Sequence, residues 1–163
     1  MKEIKLTQGM FAMIDDEDFE RVNRFKWHAV KNYNTYYASR NIRTIDGKSI
    51  KHYLHWYLTG MKMIDHRDRD GLNCQKSNMR KCTDRQNSMN RGPKKNCSSK
   101  YKGVNFCKEK GKWRSKIQIN GKPIHVGYFE TENEAAKAYD LKAIELFGEF
   151  AYLNFHYLQL KDV

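Results

Sequence analysis

The chain has 163 residues and carries 31 Lys and Arg against 19 Asp and Glu, a formal net charge of +12. Its hydrophobic content of 39% is lean, but 3 Trp, 10 Tyr and 8 Phe separate it from disordered chains and predict one ordinary domain or two small ones with aromatic cores. No membrane-length apolar run, no secretory signal and no C-x-x-C pair among Cys74, Cys82, Cys97 and Cys107 occur, which argues against a membrane protein, a secreted disulfide scaffold and a zinc ribbon.

In chain order, Ile4 and Leu6, then Phe11, Met13 and Ile14, predict two short strands around a Gln8-Gly9 turn. Asp15-Asp16-Glu17-Asp18 crowds acids at the start of a helix with apolar positions Phe19, Val22 and Phe25. Three runs then predict a β-meander, with turns at Asn32-Tyr33-Asn34 and Asp46-Gly47. A short helix over 52–59 with apolar Tyr53, Leu54, Tyr57 and Leu58 ends at Gly60. His28 reads as structural, and His52 and His55 as packing residues rather than catalytic ones.

The stretch 64–90 carries the chemistry. Asp65-His66 is an acid–imidazole pair, an eleven-residue loop (67–77) leads to Asn78, and eight more residues lead to Asn87. Met79 to Cys82 can form a short strand, and Thr83 or Asp84 can cap a helix bearing Gln86, Asn87 and Asn90. A carboxylate and an amide oxygen can hold Mg²⁺ while leaving positions for water and phosphate. A neutral His beside them can take a proton from the attacking water. Each of these residues alone could be a turn residue of a polar loop; the four at this spacing, with a basic module behind them, favour the chemical reading.

On Asp65-His66, Gly71-Leu72-Asn73, Asn78-Met79-Arg80 and Gln86-Asn87, the stretch resembles the HNH nuclease motif of homing endonucleases from phages and mobile introns. The resemblance implies a ββα-metal (His-Me finger) module in which His66 is the general base, Asp65 and Asn87 are metal ligands, and Asn78 braces the loop and orients the imidazole. The sequence departs from that family at Arg69, Cys74 and Gln75, where relatives usually have Gly, Asn and Arg, and has Trp56 where an upstream Leu-His-Arg is common.

From Arg85 to Lys122 there are twelve basic residues and the single acid Glu109, the footprint of a polyanion binder. An anionic membrane would also attract that charge, but no amphipathic helix or lipidation signal accompanies it. Residues 91–100 have the composition of a basic linker. Beyond it, three short strands with an Asn120-Gly121 hairpin turn precede a helix that starts with a Thr131/Glu134 capping box and stops at Gly148. Ala135, Tyr139, Ala143 and Phe147 share one face of it. Period-two alternation turns Val104, Phe106, Trp113, Ser115, Ile117, Ile119, Ile124 and Val126 toward the helix. It turns Lys102, Asn105, Arg114, Lys116, Gln118 and His125 away from it. A cationic three-stranded face of this kind can enter the DNA major groove.

Tyr101 to Val104, Gly111-Lys112-Trp113, Gly127-Tyr128-Phe129, Glu134 to Ala136, Ala138 to Asp140 and Leu153 to Phe155 resemble the ethylene-response-factor (Apetala-two) DNA-binding domain. The resemblance implies that Lys102, Asn105, Arg114, Lys116, Gln118 and His125 contact DNA. Relatives in plants carry more Arg and a second Trp where Asn105, Cys107 and His125 stand here, so the target sequence is not inherited.

Together these readings predict an α+β protein: an N-terminal β-rich segment with the nuclease module over 1–90 (motif 64–90), a basic linker over 91–100, a DNA-binding domain over 101–155 and a tail over 156–163. The expected activity is Mg²⁺-dependent hydrolysis of double-stranded DNA, Mn²⁺ substituting, by nicking, in a monomer with no structural zinc, no membrane and no obligate protein partner, in the cytoplasm of a bacterial or phage-infected cell. The alternative is a non-catalytic, sequence-specific DNA-binding protein on a silent nuclease fold.

Overall fold

A computed structural model describes residues 1–32, 34–93 and 97–155. The chain is mixed α and β, with four small antiparallel sheets and four α-helices among the described residues. It divides into two units, Met1–Asn87 and Ser88–Val163. The expected tail over 156–163 and linker positions 94–96 lie outside the described residues. Among the described residues no helix is long and apolar enough to cross a membrane.

In the first unit, β1 (Lys2–Lys5) pairs with β2 (Phe11–Ile14). Gln8 and Gly9, at φ 69° and 70°, reverse the chain between them. The expected helix after the acids is shorter than its apolar pattern suggested. Asp16–Asp18 form a 3₁₀ turn, and α1 covers only Phe19–Asn23. Phe25 falls beyond the helix and is 38% exposed, its ring resting against Tyr57 and the Arg40 guanidinium. The meander forms as β3 (His28–Asn32), β4 (Thr35–Arg43) and β5 (Ser49–Tyr53), in that spatial order. His28 is structural, with Nε2 3.0 Å from Ser39 Oγ. The helix α2 (Leu54–Thr59) ends at Gly60, whose φ of 70° suits a residue without Cβ.

These elements close on a core of Ile4, Leu6, Ala12, Ile14, Val22, Trp27, Ala29, Ala38, Leu54, Ile64, Cys74 and Met79. Full burial of an aliphatic side chain is worth about 1.5–3 kcal/mol, so this cluster dominates the unit's stability. The last three members come from the 64–90 stretch, so the candidate site is built onto the core. β2 also holds the site loop directly: Met13 N–H donates to Leu72 O (2.9 Å) and Cys74 N–H donates to Met13 O (2.8 Å).

In the second unit, β8 (Val104–Cys107), β9 (Lys112–Ile119) and β10 (Lys122–Phe129) form a sheet with β9 in the centre. Asn120 and Gly121, at φ 53° and 76°, make the tight hairpin turn. The helix α4 (Glu132–Phe147) begins with the complete Thr131/Glu134 capping box and lays fully buried Ala135, Ala136 and Ala143 with Tyr139 against the sheet. The close approach requires Gly103, where a Cβ would stand 2.1 Å from the Tyr139 ring. Asp140 accepts from the amides of Asn154 (2.8 Å) and Phe155 (3.0 Å), and Asn154 in turn bonds the backbone of Lys102. The Leu153-Asn154-Phe155 segment is thus clasped to the start of β8.

Two expected inward residues are exposed. Phe106 is 41% exposed because β8 is an edge strand and the inner face there is covered by its register partner Trp113, against which Phe106 packs edge-on at 5.2 Å. Ile124, on the other edge strand, is 36% exposed, while its partner Ile117 is buried.

Candidate functional site

Within the 64–90 stretch, β6 (Ile64–His66) pairs antiparallel with β7 (Met79–Lys81), and α3 (Asp84–Asn90) follows. Thr83 starts α3 reciprocally with Gln86: Gln86 N–H donates to Thr83 Oγ1 (3.2 Å) and Thr83 N–H donates to Gln86 Oε1 (2.8 Å). Asp65 and His66 sit side by side on β6, both 4% exposed. Asn87 lies on α3, half-buried, its amide bonded to Thr83 O.

Asn78 spends its side chain on the loop. Its Nδ2 donates to Asp68 Oδ1 (2.9 Å) and Asn73 O (2.8 Å), and its Oδ1 accepts from the Asp68 amide (3.0 Å). Arg69, at a position where the family favours Gly, stands at φ 69°, a left-handed conformation that costs a side chain with a Cβ about 1–2 kcal/mol. Strain of this kind in a bonded loop is common at functional sites.

Four residues that sequence reasoning did not assign to the site meet Asp65 and His66. Arg80, the cross-strand partner of Asp65, lays Nε (2.8 Å) and Nη2 (2.5 Å) on Asp65 Oδ2. Tyr37 on β4 and His55 on α2 stand edge-on to the His66 ring, with centroids at 5.7 and 5.5 Å. The Cys74 thiol is 4.0 Å from His66 Nε2. Arg80 had a local signal, lying two residues after Asn78 in a strand that must face Asp65. Tyr37 and His55 had none, because only the folded meander and α2 bring them there.

The electrostatics are those of a buried, neutral imidazole. Burial lowers the His66 pKa below its ordinary value, against the opposing pull of Asp68, Asp65 and Asp70. Burial lowers His55 further, to about 3, with smaller contributions from His66 and His52. Cys74 is pushed up to about 12 by burial, so it remains a thiol at neutral pH. The donors that could hold an ion are oxygens, the Asp65 carboxylate and the Asn87 amide, which suit a hard divalent cation. Among the described residues no group of three or more His, Cys, Asp and Glu side chains is placed to hold a metal.

The open face of the second unit's sheet carries Asn105, Arg114, Lys116, Gln118 and His125. Arg114 Nε donates to Asn105 Oδ1 across the strands (3.3 Å), and Gln118 Nε2 donates to Gly121 O (3.0 Å), holding the hairpin turn. Lys102 is engaged elsewhere: its Nζ donates to Met89 O (2.6 Å) and Arg91 O (2.7 Å) and lies over the Tyr152 ring. A register shift between His125 and Gly127 leaves Val126 as the extra residue of a β-bulge. Beyond it Tyr128 pairs with Arg114 and joins the open face, where its ring meets His125 at 4.6 Å and the Lys110 ammonium at 4.1 Å. Arg114, Lys116, Pro123, His125 and Tyr128 line a shallow hollow of about 330 Å³. Simple alternation misses Tyr128; Gly127 inside the strand was the signal for the bulge.

Comparison with known proteins agrees with both halves. Residues 99–149 match the AP2 domain family. Over 153 residues, 90% of this chain and 76% of the relative, the chain is 33% identical to a protein of Acanthamoeba polyphaga mimivirus described as an uncharacterized HNH endonuclease. It is also 42% identical over 72 residues to APETALA2-like protein 2 of Oryza sativa subsp. indica, covering 44% of this chain and 16% of the relative. With an AP2-like ethylene-responsive transcription factor of Arabidopsis thaliana it shares 43% identity over 65 residues, 40% of this chain and 13% of that protein. No solved structure matches. The AP2 match lies within the second unit, whereas the viral relative runs through both; the chain belongs to the HNH endonucleases that carry an AP2 domain.

Proposed function

We propose that the chain is a divalent-metal-dependent endonuclease of double-stranded DNA, with a ββα-metal site in the first unit and a DNA-reading sheet in the second. The observation that carries this reading is the neutral, buried His66 beside Asp65 on β6, which pairs with β7 ahead of the helix α3 that carries Asn87. Asp65 and Asn87 would hold Mg²⁺ or Mn²⁺, which would supply Lewis-acid stabilisation of the charge developing on the phosphate and the leaving 3′ oxygen. His66 takes the proton from the attacking water. The Cys74 thiol stands 4.0 Å from its Nε2 and packs against that edge of the ring. Asn78 holds loop 67–77 in one conformation, so that Arg67 N–H bonds Asn78 O and the end of β6 keeps its place. Arg80 fixes the Asp65 carboxylate in orientation.

On the AP2 side, Arg114, Lys116 and His125 meet phosphates and base edges, with Asn105 held by Arg114 and Gln118 bracing the turn. Lys102 acts in that reading as a clasp for the segment before β8. One site in a monomer cuts one strand per engagement, so the product is a nick.

Supercoiled plasmid incubated with Mg²⁺ or Mn²⁺, with and without chelator, beside His66→Ala, tests this. Metal-dependent nicking lost in His66→Ala is the expected result. Cleavage that survives the substitution would place the active site elsewhere. The pairing of Asp65 with Arg80 and the burial of Asp65 and His66 favour one second reading, a DNA-binding protein on a silent nuclease fold. In that case duplex DNA is bound and not cut under any metal condition.

A further inference from the structure

The β4–β5 hairpin extends past the sheet that carries it. β3 pairs only with Thr35 to Ser39 of β4; from Arg40 to Arg43, β4 pairs with β5 alone. Past Ser39 the two strands therefore continue as a two-stranded ribbon, roughly 10 Å from Arg40 to Arg43 at about 3.4 Å per residue. Alternation puts Tyr37, Ser39, Asn41 and Arg43 on one face, with cross-strand Tyr53, Lys51 and Ser49. That face begins at the His66 ring, which Tyr37 touches, and ends at the exposed cations Arg43 and Lys51.

The ribbon's tip is tightly built. Gly47 N–H donates to Thr44 O (2.9 Å), Thr44 N–H donates to Lys48 O (2.9 Å), and the Thr44 hydroxyl bonds Asp46. Asp46, the acid of the tip, is paired with Lys48 at 2.9 Å. The turn's first central position is held by Ile45, 109% exposed, where Pro or a small polar residue is usual. A lone exposed Ile needs no explanation. This one stands at the end of a ribbon edged by Arg43, Lys48 and Lys51, behind the cross-strand pair Ile42 and Ile50, with Ile50 45% exposed. An apolar tip between cations is complementary to a duplex, whose phosphates take the cations and whose stacked bases accept an apolar wedge.

We propose that the β4–β5 ribbon is a DNA-bending arm: it lies along the duplex next to the phosphate presented to His66 and inserts Ile45 between base pairs from the minor groove, kinking the helix there. The proposal rests on duplex DNA being the substrate.

Ligase-mediated circularisation of random-sequence fragments shorter than the persistence length of about 150 bp reports such bending without a known target site. The full chain bearing His66→Ala serves as the non-cutting background. At equal DNA occupancy it promotes circularisation, Ile45→Ala in that background loses this effect roughly fivefold, and Ile45→Leu restores it. Arg43→Ala and Lys51→Ala each weaken binding and lower the salt slope by about 0.9. Because Ile45 is wholly exposed, its removal leaves the core intact, which an unchanged melting temperature verifies. Bending by Ile45→Ala equal to that of its background, or salt slopes unmoved by Arg43→Ala and Lys51→Ala, overturns the proposal. An uncut plasmid with Ile45-dependent bending would sink the nuclease reading and leave the arm standing, whereas nicking with Ile45-independent bending would sink the arm alone.

Discussion

Arg80 places two nitrogens on one oxygen of Asp65, directly across the β6–β7 ladder, and both side chains are at least nine-tenths buried. Removing one partner of such a pair strands a buried charge, at a cost of about 3–5 kcal/mol. Arg80→Ala is therefore expected to destabilise the first unit by that amount in urea unfolding. A loss below about 1 kcal/mol would mean that water already reaches the Asp65 carboxylate. The pair also decides how the site should be probed: Asp65→Ala would unfold as well as inactivate, whereas Asp65→Asn keeps an acceptor for Arg80 and separates the two effects.

Asn78 makes three hydrogen bonds into loop 67–77, with Asp68 as its partner in two of them. Asn78→Ala leaves the Asp68 amide and the Asn73 carbonyl without this partner, an expected loss of about 2–3 kcal/mol. Hydrogen exchange at residues 67–77 should accelerate before the rest of the unit does. Protection that stays as in the wild type would show that β2, through Met13, is enough to hold the loop.

Much of this arrangement was legible in sequence because it is local. The Asn120-Gly121 turn, the Thr131/Glu134 capping box and the Thr83 start of α3 each depend on a few adjacent residues whose conformational preferences agree with the fold. What stayed hidden depends on register or on distant contacts. The bulge at Val126 moves Tyr128 to the open face, and one extra residue is enough to invert everything after it. Lys102 reads as a surface cation until the carbonyls of Met89 and Arg91 are seen around its ammonium. The neighbours of His66 come from β4 and α2, and no spacing rule links Tyr37 or His55 to position 66.

His55 ties stability to pH. Its pKa is held at about 3 in the folded chain by burial, against about 6.5 when unfolded. Between those values the unfolded state binds the extra proton, so stability is full above about pH 6.5 and falls as the pH drops toward 3. The full effect is on the order of 5 kcal/mol. His66, lowered in the same direction, adds to it. His55→Phe keeps an aromatic ring next to Tyr53 and should reduce the loss of urea stability between pH 7 and pH 4. An unchanged pH dependence would mean that His55 is not the group that resists protonation.

On the open face of the second unit, Arg114 and Lys116 occupy alternate positions of the central strand, with Tyr128 and His125 respectively as their β10 partners. If both meet phosphates, changing both to Ala weakens binding across all sequences and lowers the salt slope by about 0.9 per lost contact. Tyr128→Ala should act differently, altering preference among sequences while leaving that slope in place, because a neutral ring releases no counterions. A fall in slope with Tyr128→Ala would show that the ring works by positioning Lys110, whose ammonium rests on it.

Gly71 offers the sharpest steric test of the site. A Cβ there would lie 2.5 Å from the backbone oxygen of Tyr36 and 2.6 Å from the Tyr37 ring. Its amide donates to Thr35 Oγ1 (3.0 Å), so the loop cannot simply lift away from β4 without losing that bond. Gly71→Ala must therefore displace the Tyr37 ring, the loop, or both. Tyr37 packs on His66, so the strain is transmitted to the imidazole without touching Asp65 or Asn87. The expected result is a stability loss of about 1–3 kcal/mol, typical of overpacking, with plasmid nicking reduced and duplex binding by the second unit unchanged. Nicking at the wild-type rate in a destabilised Gly71→Ala chain would show that the Tyr37 contact is packing alone and that His66 holds its position without it.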